Sequence, residues 1–275
     1  MNRILYFFIN TNIFVSISTF CLYKISELLF GFQNYKIGLF IFFSTLFAYN
    51  YMRLPLFCQE NFSNNYSTDY YQKSIYFFLF ISALFIIFLS FSLGLKFIQL
   101  LFPPILVSII YPLLIKINNR QYGIRNIPFL KIFLISFTWS YVTLLLPGLY
   151  YDIQLDYFLL SSFFERFLFV LAIAIPFDIR DYNSDKIQTI PNTIGVINSK
   201  IFAWFCLLLI QILLVINVIQ SNITMPIFLG LFLSIEICSL VIYLTNSERS
   251  SFFYSILVES LSLVMYLIVL TSYMF

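Results

Sequence analysis

Three aspartates carry the clearest chemical signal in the chain. They stand in Asp178-Ile-Arg-Asp-Tyr-Asn-Ser-Asp-Lys186, after an apolar run from Phe167 to Phe177 and before Pro191 and Gly195. If the run is a helix that continues through them, Asp178, Asp181 and Asp185 fall at i, i+3 and i+7, at roughly 0°, 300° and 340° around the axis. They then share one narrow stripe. Carboxylates that close repel one another unless a cation neutralises them, and an oxygen-only ligand set suits a hard ion such as Mg²⁺. The plainer alternative is a solvated acidic turn at the end of a membrane helix.

The elements that must position these residues follow from composition. Of 275 residues, 61% are hydrophobic and only 10% charged, with 36 Phe. Soluble domains carry about 25% charged residues, so the chain reads as an all-α, polytopic membrane protein. Histidine is absent, and Cys21, Cys58, Cys206 and Cys238 show no C-x-x-C spacing. This speaks against structural zinc, histidine-dependent triads and a disulfide framework. A net charge of +3 gives no case for nucleic acid as a partner.

The apolar runs define nine expected spans, near 4–23, 37–56, 75–94, 97–115, 129–149, 158–177, 201–220, 224–244 and 252–273. Each is about 20 residues, the length a helix needs to cross about 30 Å of hydrocarbon. Pro103, Pro104, Pro112 and Pro147 make the edges of the fourth and fifth spans the least regular. The first run is too long for a signal-peptide core and reads as a retained helix.

The positive-inside rule orients the bundle. With the N-terminus cytoplasmic, Arg3, Arg53, Lys73, Lys116, Arg120, Arg125, Lys131, Arg180, Lys186, Lys200 and Arg249 lie inside. Lys24, Lys36, Lys96 and Arg166 lie outside, a split of 11 to 4. The aspartate stretch and the loops at 57–74 and 116–128 then face the cytoplasm. No linker divides the chain, so residues 1–275 form one transmembrane domain. The polar stretches Cys58–Ser74 and Asp178–Lys200 are loops of functional length, although a mobile linker explains the first equally well.

Four polar residues fall inside spans. Glu236 and Glu259 stand mid-helix in the eighth and ninth, facing each other or a central cavity, or hydrogen-bonding between helices for packing. Asn10 and Asn12 are read as helix–helix hydrogen-bonding groups.

The segment Ile-Arg-Asp-x-x-x-Asp-Lys followed by Ile-Pro-Asn-Thr-Ile-Gly, Ile179 to Gly195, resembles the second aspartate motif of the UbiA-type intramembrane prenyltransferases. The form is closest to that of the naphthoate and homogentisate branch. Nine helices and the cytoplasmic placement of the second and sixth loops also fit, and the likeness extends over essentially the whole chain. Tyr111-Pro-Leu-Leu-Ile-Lys116, with Arg120, Arg125 and Lys131 after it, is similar to the family's fourth-to-fifth helix region, one residue longer than its Y-x-x-x-K.

The resemblance implies a cavity open to the cytoplasmic leaflet in which two aspartate motifs hold Mg²⁺ on a prenyl diphosphate. An allylic cation then alkylates a lipophilic acceptor, an aromatic or quinone precursor among the candidates. Asp181 and Asp185 are the implied catalytic metal ligands, with Asp178 auxiliary. Asn50, Arg53, Lys116, Arg120 and Lys186 are implied to bind the diphosphate end, and for the basic residues ordinary membrane anchoring is the alternative. The implied location is a bacterial inner membrane. The family's first motif, N-x-x-x-D-x-x-x-D, is matched only by Asn50, because Leu54 and Cys58 occupy the aspartate positions. Leucine cannot ligate magnesium, and a thiol is a soft ligand for a hard ion. Two other readings therefore stand beside the enzyme: a UbiA-like protein that binds an isoprenoid phosphate or quinone without turnover, and a transporter or structural membrane protein. The lack of internal repeats counts against a transporter.

Overall fold

The computed structural model describes residues 11–52, 54, 66–111, 114–117, 120–123, 127, 129–182, 189–250 and 252–274. Helices dominate them. In hydrocarbon a backbone N–H or C=O has no water to bond, and the helix satisfies both within one segment. In chain order they are α1 (Ile13–Phe30), α2 (Tyr35–Met52), α3 (Tyr66–Leu93), α4 (Leu95–Leu100) and α5 (Phe102–Ile110). A short hairpin follows, β1 (Leu114–Ile117) and β2 (Arg120–Gly123), antiparallel with Leu114 opposite Gly123. Then come α6 (Leu130–Ser140), a π-helical turn (Tyr141–Leu145) and α7 (Leu146–Tyr150), which together form one span. The remainder is α8 (Tyr157–Arg180), α9 (Ile190–Ile194), α10 (Val196–Ile219), α11 (Met225–Leu244), a π-helical stretch (Phe253–Val258) and α12 (Leu261–Tyr273).

Seven helical stretches among the described residues are long and apolar enough to cross a membrane: Ile13–Phe30, Lys73–Leu93, Leu130–Tyr150, Tyr157–Arg180, Val196–Ile219, Met225–Leu244 and Phe253–Tyr273. The protein is therefore an all-α, polytopic membrane protein. The second and fourth expected spans stand apart from these seven. The second is α2, which has 18 residues but carries Lys36, Asn50 and three tyrosines. The fourth, 97–115, is not one helix. It is divided into α4 and α5, and its end is the strand from Leu114. Pro103 and Pro104 explain the break, since neither has an N–H to donate to the preceding turn. The carbonyl of Leu100, four residues before Pro104, instead accepts the Tyr141 hydroxyl at 2.8 Å.

Local chemistry sets the other boundaries. Asp156 caps α8 by accepting the Leu159 N–H at 2.8 Å. Gly31 closes α1 in the left-handed region, φ 74°, donating to the Glu27 carbonyl. The expected loops are shorter than their polar stretches. Helix α3 begins at Tyr66, inside Cys58–Ser74, while α9 and α10 occupy much of Asp178–Lys200.

Two clusters of buried apolar side chains hold the bundle. One joins α1, α8, α10, α11 and α12 around Leu22, Ile25, Ile175, Cys238 and Val269. The other joins α1, α2, α4 and the Leu130–Tyr150 span around Tyr23, Ile37, Phe97 and Leu144. Between them runs an unforeseen polar clamp. Arg166, counted on the outer side, lies well inside α8 and is 6% exposed. Its guanidinium donates to the Leu22 carbonyl, to Ser26 Oγ at 3.0 Å and to Thr143 Oγ1 at 3.2 Å. One side chain thus ties α8 to α1 and to the π-helical turn.

Replacing Arg166 with Leu strands those acceptors and leaves Glu165 without its neighbouring cation. It is expected to cost about 3–5 kcal/mol of stability, read as a large drop in melting temperature in detergent. An unchanged melting temperature would contradict the clamp.

Candidate functional site

One end of the bundle gathers most of the residues singled out by type and spacing. It is the end where α2 and α8 finish and where α1, α6 and the Phe253–Tyr273 span begin. Asp178 lies in the last turn of α8, which ends at Arg180, and Asp181 immediately follows it, so the helix takes in the first aspartate and stops at the second. Asp178 is 3% exposed, and its Oδ1 accepts from Lys131 Nζ of α6 at 3.2 Å. Asp181 is held by Arg180 through a two-pronged contact, Nε to Oδ1 at 2.7 Å and Nη2 to Oδ2 at 2.9 Å. Paired forks of this kind fix both groups in orientation as well as in charge.

Arg180 is itself set against two rings, 5.4 Å from the Phe177 centroid and 5.8 Å from that of Tyr254. Tyr254 is fully buried, and its hydroxyl donates to the Asn246 carbonyl at 2.6 Å. Glu259 lies close enough to Arg180 and Tyr49 to interact electrostatically with both. Tyr49 lies against Trp139, with ring centroids 6.4 Å apart, and within electrostatic reach of Tyr111. Tyr111, drawn from the Tyr111–Lys116 stretch, is therefore brought to the same end as the aspartates.

Asn50 is at this end too, but its amide is committed. Oδ1 accepts from Asn12 Nδ2 at 3.0 Å, while Nδ2 donates to the Thr11 carbonyl at 3.0 Å and the Leu46 carbonyl at 2.9 Å. It is fully buried. Its visible task is to fasten the start of α1 to the end of α2, and Asn12 is the helix–helix hydrogen-bonding residue its sequence position suggested. Leu54 follows α2 as a half-buried apolar side chain and offers nothing to a metal. Arg53, Cys58, Asp185, Lys186, Arg125 and Asn10 lie outside the described residues. Lys116 and Arg120 are on β1 and β2, where their backbones pair in the hairpin.

The two intramembrane glutamates do not meet. Glu236 is on the exposed face of α11, where its Oε1 accepts from Gln211 Nε2 of α10 at 2.5 Å, a bond between helices. Glu259 belongs to the polar end. Sequence reasoning did not assign Lys131, Arg180, Tyr49, Tyr254 or Glu259 to the site. Arg180 is in the motif itself, so its adjacency to Asp181 was a usable signal. Lys131 stands out in the sequence only as part of the region like the family's fourth-to-fifth helices, and Glu259 only as an ionisable group inside a span, so neither is tied there to the aspartates.

The donor chemistry at Asp178 and Asp181 suits Mg²⁺, because only carboxylate oxygens are offered. Among the described residues no group of three or more acidic, cysteine or histidine side chains is placed to hold a metal. Asp185 would have to supply the third carboxylate.

These features define a class: a helical, polytopic membrane protein with a compact acid–base cluster at one end of its bundle. Comparison with protein-family models and with curated proteins finds no match. Among solved structures, that of digeranylgeranylglyceryl phosphate synthase, a protein studied in membranes, has the same fold. It aligns over 98% of this chain and 95% of its own, with a TM-score of 0.56 and 16% sequence identity. At that identity the likeness is one of fold.

The Asp178–Lys131 contact links α8 to α6, and Asp178 is too buried to be left charged alone. Lys131→Met is expected to destabilise the protein by about 3 kcal/mol, and adding Asp178→Asn is expected to restore most of the loss. Thermal melting of the two single variants and the double variant checks this. Additive losses would show that the pair is not coupled.

Proposed function

We propose that this chain is an intramembrane prenyltransferase of the UbiA type, moving a prenyl group from a prenyl diphosphate to a lipophilic acceptor with Mg²⁺ as cofactor. The observation that carries the reading is the R-D-x-x-x-D segment at a charged bundle end in a chain sharing the fold of digeranylgeranylglyceryl phosphate synthase. The geranylgeranyl groups in that name are isoprenoid, the substrate class expected here. In this reading α2 and the broken α4–α5 complete nine passes, and the charged end faces the cytoplasm.

The aspartates themselves call for a metal partner: carboxylates at Asp178, Asp181 and Asp185 would repel a diphosphate unless a cation lay between them. Asp181, Asp178 and Asp185 would hold Mg²⁺, which when bound supplies charge neutralisation to the leaving diphosphate. Arg180 and Lys131, joined by Arg53, Lys116, Arg120 and Lys186, would fix the diphosphate oxygens. Asn50 would hold the start of α1 over the site. The allylic C–O bond breaks with its electron pair going to diphosphate, the carbocation bonds to the acceptor, and the acceptor sheds a proton. Apolar walls keep water from the cation until then.

One observation favours a second reading, an isoprenoid-phosphate or quinone binder without turnover. Leu54 stands where the other metal half-site needs a carboxylate, and Asp178 and Asp181 are already in ion pairs.

The test follows diphosphate release from a panel of prenyl diphosphates by the purified chain in liposomes, with and without Mg²⁺. Asp181→Asn is expected to lower metal-dependent release by about 100-fold or more while leaving the fold intact. Release retained in that variant would overturn the assignment. Saturable binding without release in the wild type would support the second reading.

A further inference from the structure

Away from the candidate site, α8 carries a second polar group on one face, buried Ser162 and Arg166 with half-buried Glu165, at i, i+4 and i+3. Arg166 is the clamp described above. Glu165 Oε1 accepts from Asn217 Nδ2 of α10 at 2.8 Å, and Asn217 also donates to Ser161 Oγ at 3.1 Å. Beside these groups lies a cavity of about 40 Å³, where Ser162, Glu165 and Arg166 meet apolar residues such as Ile25, Ile210 and Met265.

Ser162 is the unusual member. It is 4% exposed, and its hydroxyl has no hydrogen-bond partner within the protein. Several other buried serines in these helices solve that problem locally, although Ser262 of α12, like Ser162, does not. Ser136, Ser140 and Ser234 each donate to the carbonyl four residues back. Ser162 does not, and it lines the cavity instead. A buried hydroxyl without a partner is costly, as is a buried charge pair with poorly solvated edges.

We infer that this cavity is a hydrated internal site. It has room for roughly one to three water molecules, given that each needs about 10–15 Å³ of such space, and the hydroxyl, carboxylate and guanidinium supply the several polar partners a buried water requires. The same size excludes an isoprenoid chain, so the site is distinct from a prenyl tunnel. Its water completes the hydrogen bonding of Ser162 and solvates the Glu165–Arg166 pair inside the membrane.

Two measurements on the full chain in lipid nanodiscs test this. The first is a density map fine enough to show ordered water, with density expected within hydrogen-bonding distance of Ser162 Oγ. The second compares Ser162→Ala, which keeps the space, with Ser162→Val, which fills it. Filling a wet polar site removes the water that solvates the pair, so the Val variant is expected to melt about 5 °C or more below the Ala variant. Filling a dry void would raise stability instead. A dry cavity in a map that resolves water elsewhere, or a Val variant melting at or above the Ala variant, overturns the inference.

Discussion

Inside an apolar bundle a polar group is costly unless it finds a hydrogen-bond partner, and most of this structure follows from that requirement. The backbone meets it by being helical. Where proline removes a donor the gap is closed from elsewhere, as when Tyr141 takes up the Leu100 carbonyl near Pro103 and Pro104. The side chains meet it at helix crossings. Asn12 and Asn50 bond across α1 and α2, Gln211 and Glu236 across α10 and α11, and Arg166 spans three segments. These bonds fix which helices are neighbours and at what depth they cross, which apolar contacts alone leave loosely specified.

The same requirement concentrates charge at the two ends of the bundle. At one end Lys24 pairs with Glu27, and Lys96 with Asp152 at 2.7 Å. At the other, Lys131 pairs with Asp178 and Arg180 with Asp181. Asp152 is largely exposed, so its pair with Lys96 is screened by solvent and contributes little. Glu27 and Asp178 are both buried carboxylates, each paired with a partly exposed lysine, so burial alone does not separate the two ends. What the aspartate end adds is Arg180, packed against the Phe177 and Tyr254 rings and forked onto Asp181.

Much of this was legible in the sequence. Long apolar runs located the seven clear spans, although the first helix runs on to Phe30 rather than ending near residue 23, and Asp178 lies in the last turn of α8 with Asp181 directly after it. Other features were not. Hydropathy averages over a window, so it could not show that 97–115 breaks after Leu100 or that Leu114 begins a strand. Nor could it distinguish Arg166 as a buried clamp from an outer-side charge, since the acceptors that decide the matter, Leu22, Ser26 and Thr143, come from two other segments. The separation of Glu236 from Glu259 has the same origin. Each is one polar residue in an apolar run, and only helix rotation and neighbour choice assign one to an exposed face and the other to the charged end.

Asn50 shows why a matched motif position does not by itself identify a ligand. Its place in N-x-x-x-D-x-x-x-D invites a chemical role, yet both amide hydrogens and an oxygen lone pair are engaged with Asn12, Thr11 and Leu46. Asparagine suits that packing task for reasons that owe nothing to substrate, since few side chains both donate twice and accept. The residue then matters to the site through α1, whose first turn it pins over the end of α2. With Leu54 apolar, the α2 side lacks a carboxylate at that position, and Asp178, Asp181, Lys131 and Arg180 are contributed by the end of α8 and the start of α6. Function at this end therefore rests on whether that one-sided set, with its charges mutually paired, exchanges internal partners for a ligand's.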